Sequence, residues 1–370
     1  MLFNKILTSK TVSLAALVAI ALGSTAYATQ YTVTPLGTLG GASTTVTGIN
    51  SAGELVGESL NSAGNDIAFL YSNGAMTNLG TLGSATSYAT GINSLGQVVG
   101  SSNGTAFLYN NGVMMNLGTL GGANSQAYGI NSSGQVVGWS YNSAGNENAF
   151  LYSNGAMTDL GTLGGVNSVA NAINSSGQVV GWSSSGAGNA DAFLYSNGVM
   201  TSLGTLGGTT SQANAINSSG QVAGYSLNSV GNWNAFLYSN GVMTNLGTLG
   251  GTYSQANGIN SSGQVVGYST NSAGNYNAFL YSNGGMQNLN SLIGSASSEY
   301  TLTYAAGINK NGQIAAEGTI TATGQSMGFL LTPVASTSSA GVPAPATLGL
   351  LAAAMAGFLV MRRKRVSVLG

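Results

Sequence analysis

Residues 127–161 read AYGINSSGQVVGWSYNSAGNENAFLYSNGAMTDLG, and this stretch decides the fold. Four apolar segments alternate in it with turns rich in Gly, Asn and Ser, and no segment has helical periodicity. The pair Asn154-Gly155 joins the last two segments. Asn-Gly between β-forming residues is a strong hairpin signal, because a type I′ turn requires a positive φ at both central residues. The stretch therefore predicts a four-stranded antiparallel meander.

The same pattern recurs along the chain from Tyr31 to about Val334. Its two clearest markers are the isoleucine of Gly/Ala-Ile-Asn and the phenylalanine before Leu-Tyr, which is Leu-Leu in the degenerate last copy, and each marker recurs most often after 43 residues. The markers are Ile49, Ile92, Ile130, Ile173, Ile216, Ile259 and Ile308, and Phe69, Phe107, Phe150, Phe193, Phe236, Phe279 and Phe329. Four strands in about 40–45 residues are typical of a propeller blade. We therefore predict an all-β, seven-bladed β-propeller of four-stranded antiparallel blades over residues 29–335.

The two ends of the repeat region are incomplete in complementary ways. Residues 31–37 match the fourth strand of a unit, whereas the last unit stops after its third strand, at residues 329–334. We expect the N-terminal strand to pair with the strand around Phe329 and so to close the last blade. Pro35 suits an outer edge strand, where its missing N–H does no harm. An open solenoid is the alternative, but solenoids usually carry polar capping repeats.

The first 28 residues have the layout of a secretory signal peptide. Two lysines precede an apolar run over residues 14–22, and residues 26–28 form an A-x-A cleavage pattern with Ala26 and Ala28 as its small residues. An N-terminal membrane anchor is the alternative, but the run is short of the roughly 20 apolar residues that a span needs. The sequence therefore predicts export and cleavage after Ala28.

The C-terminal tail has a Ser/Thr-rich linker at 336–341, a Val-Pro-Ala-Pro motif, an apolar stretch at 346–361 and a basic cluster at 362–365. Basic residues beside a membrane span stay on the cytoplasmic side, so the stretch predicts one transmembrane helix with its basic end inside. A plain single-pass anchor has the same pattern and is the alternative.

This tail, 342–365, resembles the PEP-CTERM sorting signal, as a V-P-x-P variant in which Ala344 stands where the family has Glu. The residues that carry the resemblance are Val342, Pro343, Pro345, Arg362, Arg363, Lys364 and Arg365. The resemblance implies an exosortase-like processing enzyme and an intermediate held in the inner membrane by the C-terminal helix. The final location would then be the cell surface, outer membrane or extracellular matrix of a Gram-negative bacterium.

The repeat region is acidic and almost free of basic residues. Six of the seven basic residues lie in the two terminal signals, so Lys310 alone stands against eight carboxylates, a net charge of −7. Nucleic-acid binding is excluded on this ground, because phosphate neutralisation needs a basic face. The chain has no cysteine, so its stability in an exported setting comes without disulfides.

The strings LGTLGG, GINSSGQVVG and AFLYSNG together resemble the HAF family of extracellular repeats. The resemblance covers all seven units and is strongest in the fourth, fifth and sixth. It implies an extracellular location and a repeat architecture, and it brings no reaction or catalytic residue.

Since the chain has neither histidine nor cysteine, the commonest general base, the usual metal ligand and the thiol nucleophile are all missing. We therefore expect a non-enzymatic protein without cofactor or metal. Four charged residues nevertheless depart from the repeat consensus at the two end units, which a closed ring makes neighbours: Glu54, Glu58, Lys310 and Glu317. We expect them to gather at one seam. A cation site, the catalytic cleft of a carbohydrate-active enzyme and mere divergence of the end units remain open.

Six aromatic residues recur at two equivalent positions of the repeat. Trp139, Trp182, Tyr225 and Tyr268 follow the glycine of the second segment, and Trp233 and Tyr276 lie shortly before Ala-Phe-Leu-Tyr. Equivalent positions of a ring form a band, and an aromatic band on a polar, nearly uncharged surface suits stacking against sugar rings. We predict contact with exopolysaccharide. Packing between blades and adhesion to another protein are the alternatives.

Overall fold

The computed structural model describes residues 30–334, which form seven four-stranded antiparallel sheets arranged as a β-propeller. The predicted fold is confirmed. The signal peptide, the linker, the sorting motif and the predicted helix at 346–361 lie outside the described residues. Within residues 30–334 the structure contains no helix of the length and hydropathy that a membrane crossing requires.

Each blade contributes its strands in the order inner, second, third and outer. The inner strands are β2 (Gly40–Ile49), β6 (Ser87–Ile92), β10 (Gly121–Ile130), β14 (Gly164–Ile173), β18 (Gly207–Ile216), β22 (Gly250–Ile259) and β26 (Tyr300–Ile308). The second strands are β3 (Leu55–Asn61), β7 (Val98–Ser102), β11 (Val136–Asn142), β15 (Val179–Ser185), β19 (Val222–Asn228), β23 (Val265–Asn271) and β27 (Ile314–Ile320).

The third strands are β4 (Asp66–Ser72), β8 (Thr105–Asn110), β12 (Glu147–Ser153), β16 (Ala190–Ser196), β20 (Trp233–Ser239), β24 (Tyr276–Ser282) and β28 (Ser326–Pro333). The outer strands are β5 (Ala75–Asn78), β9 (Val113–Asn116), β13 (Ala156–Asp159), β17 (Val199–Ser202), β21 (Val242–Asn245), β25 (Gly285–Asn288) and β1 (Tyr31–Pro35). Two short 3₁₀ helices, Leu289–Ser291 and Gly294–Ser298, connect the sixth blade to the seventh.

The N-terminal strand closes the ring as predicted. β1 pairs antiparallel with β28, with Tyr31 opposite Pro333 and Pro35 opposite Phe329. The backbone N–H of Tyr31 also donates to the carbonyl of Leu292 at 2.9 Å. The seventh blade therefore combines the first strand of the repeat region with its last three.

The turns within each blade follow their sequence signals. Asn154 and Gly155 have φ values of 54° and 81°, the two positive values that a type I′ turn needs. The second blade is shorter than the others because the tight turn Asn103-Gly104 replaces the loop of four or five residues that joins the second and third strands elsewhere.

The apolar core lies between neighbouring blades. Each blade buries the phenylalanine of its third strand completely. Phe150, for example, packs with Val136 of its own blade and with Val99 and Ala106 of the preceding blade. The backbone is also tightly packed within blades, since a Cβ on Gly138 would overlap the carbonyl oxygen of Gln126 at a β-bulge.

Candidate functional site

The antiparallel meander gives the propeller two different faces. The turn face carries the turns between inner and second strands and the Asn-Gly turns, and the loop face carries the loops between second and third strands and the connections from one blade to the next. The two faces have different chemistry.

A closed belt of asparagine side chains lies at the turn face. Its members are Asn50, Asn93, Asn131, Asn174, Asn217, Asn260 and Asn309, all 4–5% exposed. The Nδ2 group of each donates to the backbone carbonyl of the corresponding Asn in the next blade, as in the 3.2 Å bond from Asn174 to Asn217. The bond from Asn309 to the carbonyl of Asn50, 3.0 Å long, completes the circle.

The axial channel next to this belt is narrow and is lined by both apolar side chains and polar groups. Its cavity of 260 Å³ is lined by the seven isoleucines of the repeat and by the Gly or Ala that precedes each. A Cβ on Gly258 would lie 2.9 Å from the Cα of Gly307, so the inner strands approach too closely for larger residues. No carboxylate or amine lines the cavity among the described residues.

Two bands of side chains lie on the loop-face half of the blades. The inner band is the fourth residue of each second strand: Glu58, Ser101, Trp139, Trp182, Tyr225, Tyr268 and Glu317. The rim band is a residue at the start of the third strand. Its pairing partner on the second strand lies two positions after the inner-band residue. The members are Asp66, Glu147, Ala190, Trp233, Tyr276 and Ser326. Residues that pair directly, or lie two apart, share one side of a sheet. The two bands therefore share one side of each blade.

The aromatic residues of the bands are half-buried apart from Tyr276, which is 52% exposed, and in the fifth and sixth blades the inner and rim rings touch each other. The ring centroids of Tyr225 and Trp233 are 5.2 Å apart, and those of Tyr268 and Tyr276 are 5.6 Å apart. Tyr268 also packs at 5.2 Å against Tyr304 of the next blade. The fully buried layer between blades consists instead of Phe, Val, Leu and Ala, so these rings border the surface.

Hydrogen bonds fix the polar edges of three of these rings. Trp139 donates through Nε1 to the hydroxyl of Tyr128 at 3.2 Å. Tyr225 donates to Oε1 of Gln212 at 3.0 Å. Tyr268 donates to Oε1 of Gln255, also at 3.0 Å. Because the rings are already oriented, a ligand that stacks on them orders few additional side-chain rotamers.

The seam between the seventh and first blades holds two coupled carboxylates, Glu58 and Glu317. Oε1 of Glu317 accepts a hydrogen bond of 3.1 Å from the backbone N–H of Val46, across the seam. Burial, and then the nearby charge of Asp66, raises the pKa of Glu58 to about 7. Burial, and then the charge of Glu58, raises the pKa of Glu317 to about 7.

The other two residues expected at this seam lie elsewhere, and that expectation is corrected for them. Glu54 accepts hydrogen bonds from Asn50 at 2.7 Å and Ser72 at 2.8 Å, where it replaces the Gln that supports the asparagine belt in the other blades. Lys310 is exposed in the turn after β26. Glu54 and Glu58 are four positions apart in the sequence, about 13 Å along a strand. In the described part of the chain no three Asp, Glu, His or Cys side chains are placed to hold a metal ion.

Sequence reasoning missed the asparagine belt and the acidic members of the rim band. The belt residue is Asn in all seven units, which is a signal that a turn alone does not require. Asp66 and Glu147 occupy the register of Trp233 and Tyr276, which an alignment of the third strands makes visible.

Comparison with known proteins supports the fold alone. No family model matches the chain, and no curated protein matches it. The extracellular domain of the one-component system BT4673 from B. thetaiotaomicron is similar at 13% identity and TM-score 0.52, covering 82% of this chain and 40% of that one. A puromycin hydrolase S511A mutant complexed with PGG is similar at 13% identity and TM-score 0.50, covering 78% and 53%.

TolB from Acinetobacter baumannii is similar at 12% identity and TM-score 0.45, with coverage of 75% and 63%. The chain thus spans less than two thirds of each of these proteins. At 13% identity the first two similarities support the fold alone and assign this chain no activity.

Proposed function

We propose that the protein is a non-enzymatic, exported β-propeller that binds polysaccharide at the cell surface or in the exopolysaccharide matrix. The observation that carries the proposal is the pair of bands on the loop face, where half-buried Trp and Tyr rings recur on four successive blades and three of them are held by hydrogen bonds. Sugar rings present apolar C–H faces that stack on aromatic rings and hydroxyl edges that meet amides.

Repetition of the aromatic positions favours binding over catalysis. Each aromatic site adds a modest contribution, and several weak sites on one rigid ring raise the overall affinity of a polymeric ligand through effective concentration. A single catalytic centre, in contrast, gains nothing from being copied around a ring.

The experiment compares binding of the organism's own exopolysaccharide by the native protein and by the Trp139→Ala and Trp182→Ala variants. We expect each substitution to weaken binding by about tenfold, since a stacked ring is worth roughly 1 kcal/mol or more. Tyr195→Ala is the matched control, because it removes a ring from the same blade as Trp182 outside the bands. Unchanged affinity in both Trp variants would contradict the proposal.

We assign delivery to a PEP-CTERM and exosortase-type system, on the basis of the tail motif and the basic cluster that follows the apolar stretch. Replacing Pro343 and Pro345 by Ala should leave the protein in the inner-membrane fraction with its tail uncleaved. Release of the double variant at the native rate would contradict this assignment.

A carbohydrate-active enzyme is the second candidate, and the Glu58 and Glu317 pair favours it. Two coupled carboxylates with pKa values about 7 can hold one proton between them near neutral pH, which is the state that an acid and base pair needs. Incubation with the same exopolysaccharide tests it. Release of reducing ends by the native protein, abolished in both Glu58→Gln and Glu317→Gln, would establish this candidate in place of the first.

A further inference from the structure

The loop face combines aromatic rings with carboxylates. Apart from Ser101, Ala190 and Ser326, every residue of the inner and rim bands is aromatic or acidic. None is basic. The single basic residue among residues 30–334 is Lys310, which lies in a turn of the opposite face.

The acidic and aromatic side chains are neighbours on the same side of a blade. In the third blade Glu147 pairs directly with Tyr141, whose ring meets that of Trp139 edge-on at 5.3 Å. Directly paired residues have Cβ atoms about 5 Å apart. A carboxylate therefore lies beside a platform of two aromatic rings.

The first blade repeats the acidic half of this arrangement. Asp66 pairs with Leu60 while Glu58 pairs with Ala68, which puts both carboxylates on one side of the sheet. The charge of Asp66 raises the pKa of Glu58, so the two groups repel each other. An approaching cation would relieve this repulsion.

We infer that the loop face binds a polysaccharide that carries free amino groups, such as a polymer of unacetylated hexosamine. This inference rests on the proposed polysaccharide-binding function and names its ligand class. A protonated sugar amine is attracted both to a carboxylate and to the face of an aromatic ring, and the sugar ring itself stacks. Neutral glycans can offer hydroxyl hydrogen bonds to the carboxylates but no opposite charge, and anionic glycans are repelled by a body of net charge −7.

Calorimetric titration of the purified protein with two matched probes, a glucosamine hexamer and an N-acetylglucosamine hexamer, tests the ligand class. At slightly acidic pH we expect the amine-bearing hexamer to bind about tenfold more tightly, a preference that shrinks at high ionic strength. The double variant Asp66→Asn, Glu147→Gln should lose the preference and keep the weaker binding of the acetylated hexamer. Glu299→Gln, which removes an exposed carboxylate outside the bands, should keep the preference.

The possible outcomes separate the inference from the function on which it rests. Equal or tighter binding of the acetylated hexamer overturns the amine assignment and leaves polysaccharide binding in place. If the protein binds neither hexamer and does not bind the organism's exopolysaccharide, both the amine assignment and the polysaccharide-binding function are overturned. If polylysine competes as well as the amine-bearing hexamer, and Trp139→Ala binds as tightly as the native protein, the sugar ligand is overturned in favour of a basic protein partner.

Discussion

The turn face and the loop face are built from the same seven units, yet one is uniform and the other varies. At the turn face every blade supplies Asn to the belt, and six blades support it with Gln and one with Glu54. At the loop face the inner band alone includes Trp, Tyr, Glu and Ser. The ring therefore constrains one face and leaves the other free to take on a function.

Physical chemistry explains the uniform face. In the belt, Asn174 uses both Nδ2 hydrogens and accepts two backbone N–H groups through Oδ1, so its hydrogen-bonding capacity is filled. No other side chain of this size provides the same donors and acceptors. Because each residue bonds to the next blade, a change in one blade also exposes a carbonyl in its neighbour.

The largest effect is expected from breaking the uniform face, with Asn174→Leu. The substitution removes four hydrogen bonds and leaves buried backbone groups unpaired, so we expect the free energy of unfolding to fall by about 4 kcal/mol. Denaturation in urea measures it. Ser175→Ala changes the exposed neighbour in the same turn and should cost less than about 0.5 kcal/mol. Similar losses in the two variants would show that the belt does not hold the ring.

The next effect comes from the carboxylates of the loop-face seam. Glu58 and Glu317 have pKa values of about 7 in the folded protein against 4.5 ordinarily, so the folded state holds their protons more tightly. Their contribution to stability is therefore favourable at low pH and is lost as the pH rises from about 4.5 to 7. In the native protein the free energy of unfolding should therefore fall by roughly 3 kcal/mol over this pH range through these two groups, and we expect the double variant Glu58→Gln, Glu317→Gln to lose this fall.

Urea denaturation at several pH values measures this dependence, and Asp191→Asn, in the fourth blade, is the control that should keep the native profile. The negative charge of Asp66 and the hydroxyl of Tyr304 also lie close to the pair. A stability profile that is equally steep in the double variant would assign the pH dependence to other groups.

The repeat made most of the fold predictable. Seven copies of the Ile and Phe markers gave the number of blades, and the unmatched strand at Tyr31 gave its partner around Phe329. The Asn-Gly pairs placed the hairpins. These features depend on local turn chemistry and on the order of strands, and both can be read along the chain.

The candidate site was less predictable, because it depends on where along a strand each residue lies. Glu54 and Glu58 belong to the same unit, but Glu54 joins the turn-face belt and Glu58 the loop-face inner band. Glu147 cannot be recognised as a site residue from the repeat pattern alone, because its place opposite Tyr141 depends on the pairing of the two strands. Which side chains lie near one another depends on the register of the paired strands, and an alignment of the repeat units does not contain this register.

A smaller effect than that of the belt is expected from Trp182→Ala in the inner band. Trp182 is half-buried and lies beside no other charged or aromatic band residue of its own blade, since its rim position is Ala190. Partial loss of apolar burial should lower the free energy of unfolding by about 2 kcal/mol, half the effect of Asn174→Leu. Thermal unfolding of both variants side by side measures the ratio. A greater loss for Trp182→Ala would mean that the bands, too, are structural.

The smallest effect is expected from Tyr268→Phe, which removes one hydroxyl from the loop face and keeps the ring. Oε1 of Gln255 loses the bond from Tyr268 but keeps that from Tyr253 at 2.9 Å, so it is not left unpaired. We therefore expect a loss below about 1 kcal/mol in urea denaturation and unchanged affinity for polysaccharide. Tyr268→Ala, in contrast, removes the ring that meets Tyr276 and Tyr304 and should weaken binding. If the Phe and Ala variants bind equally poorly, the hydroxyl and not the stacked ring is the recognition element of this face.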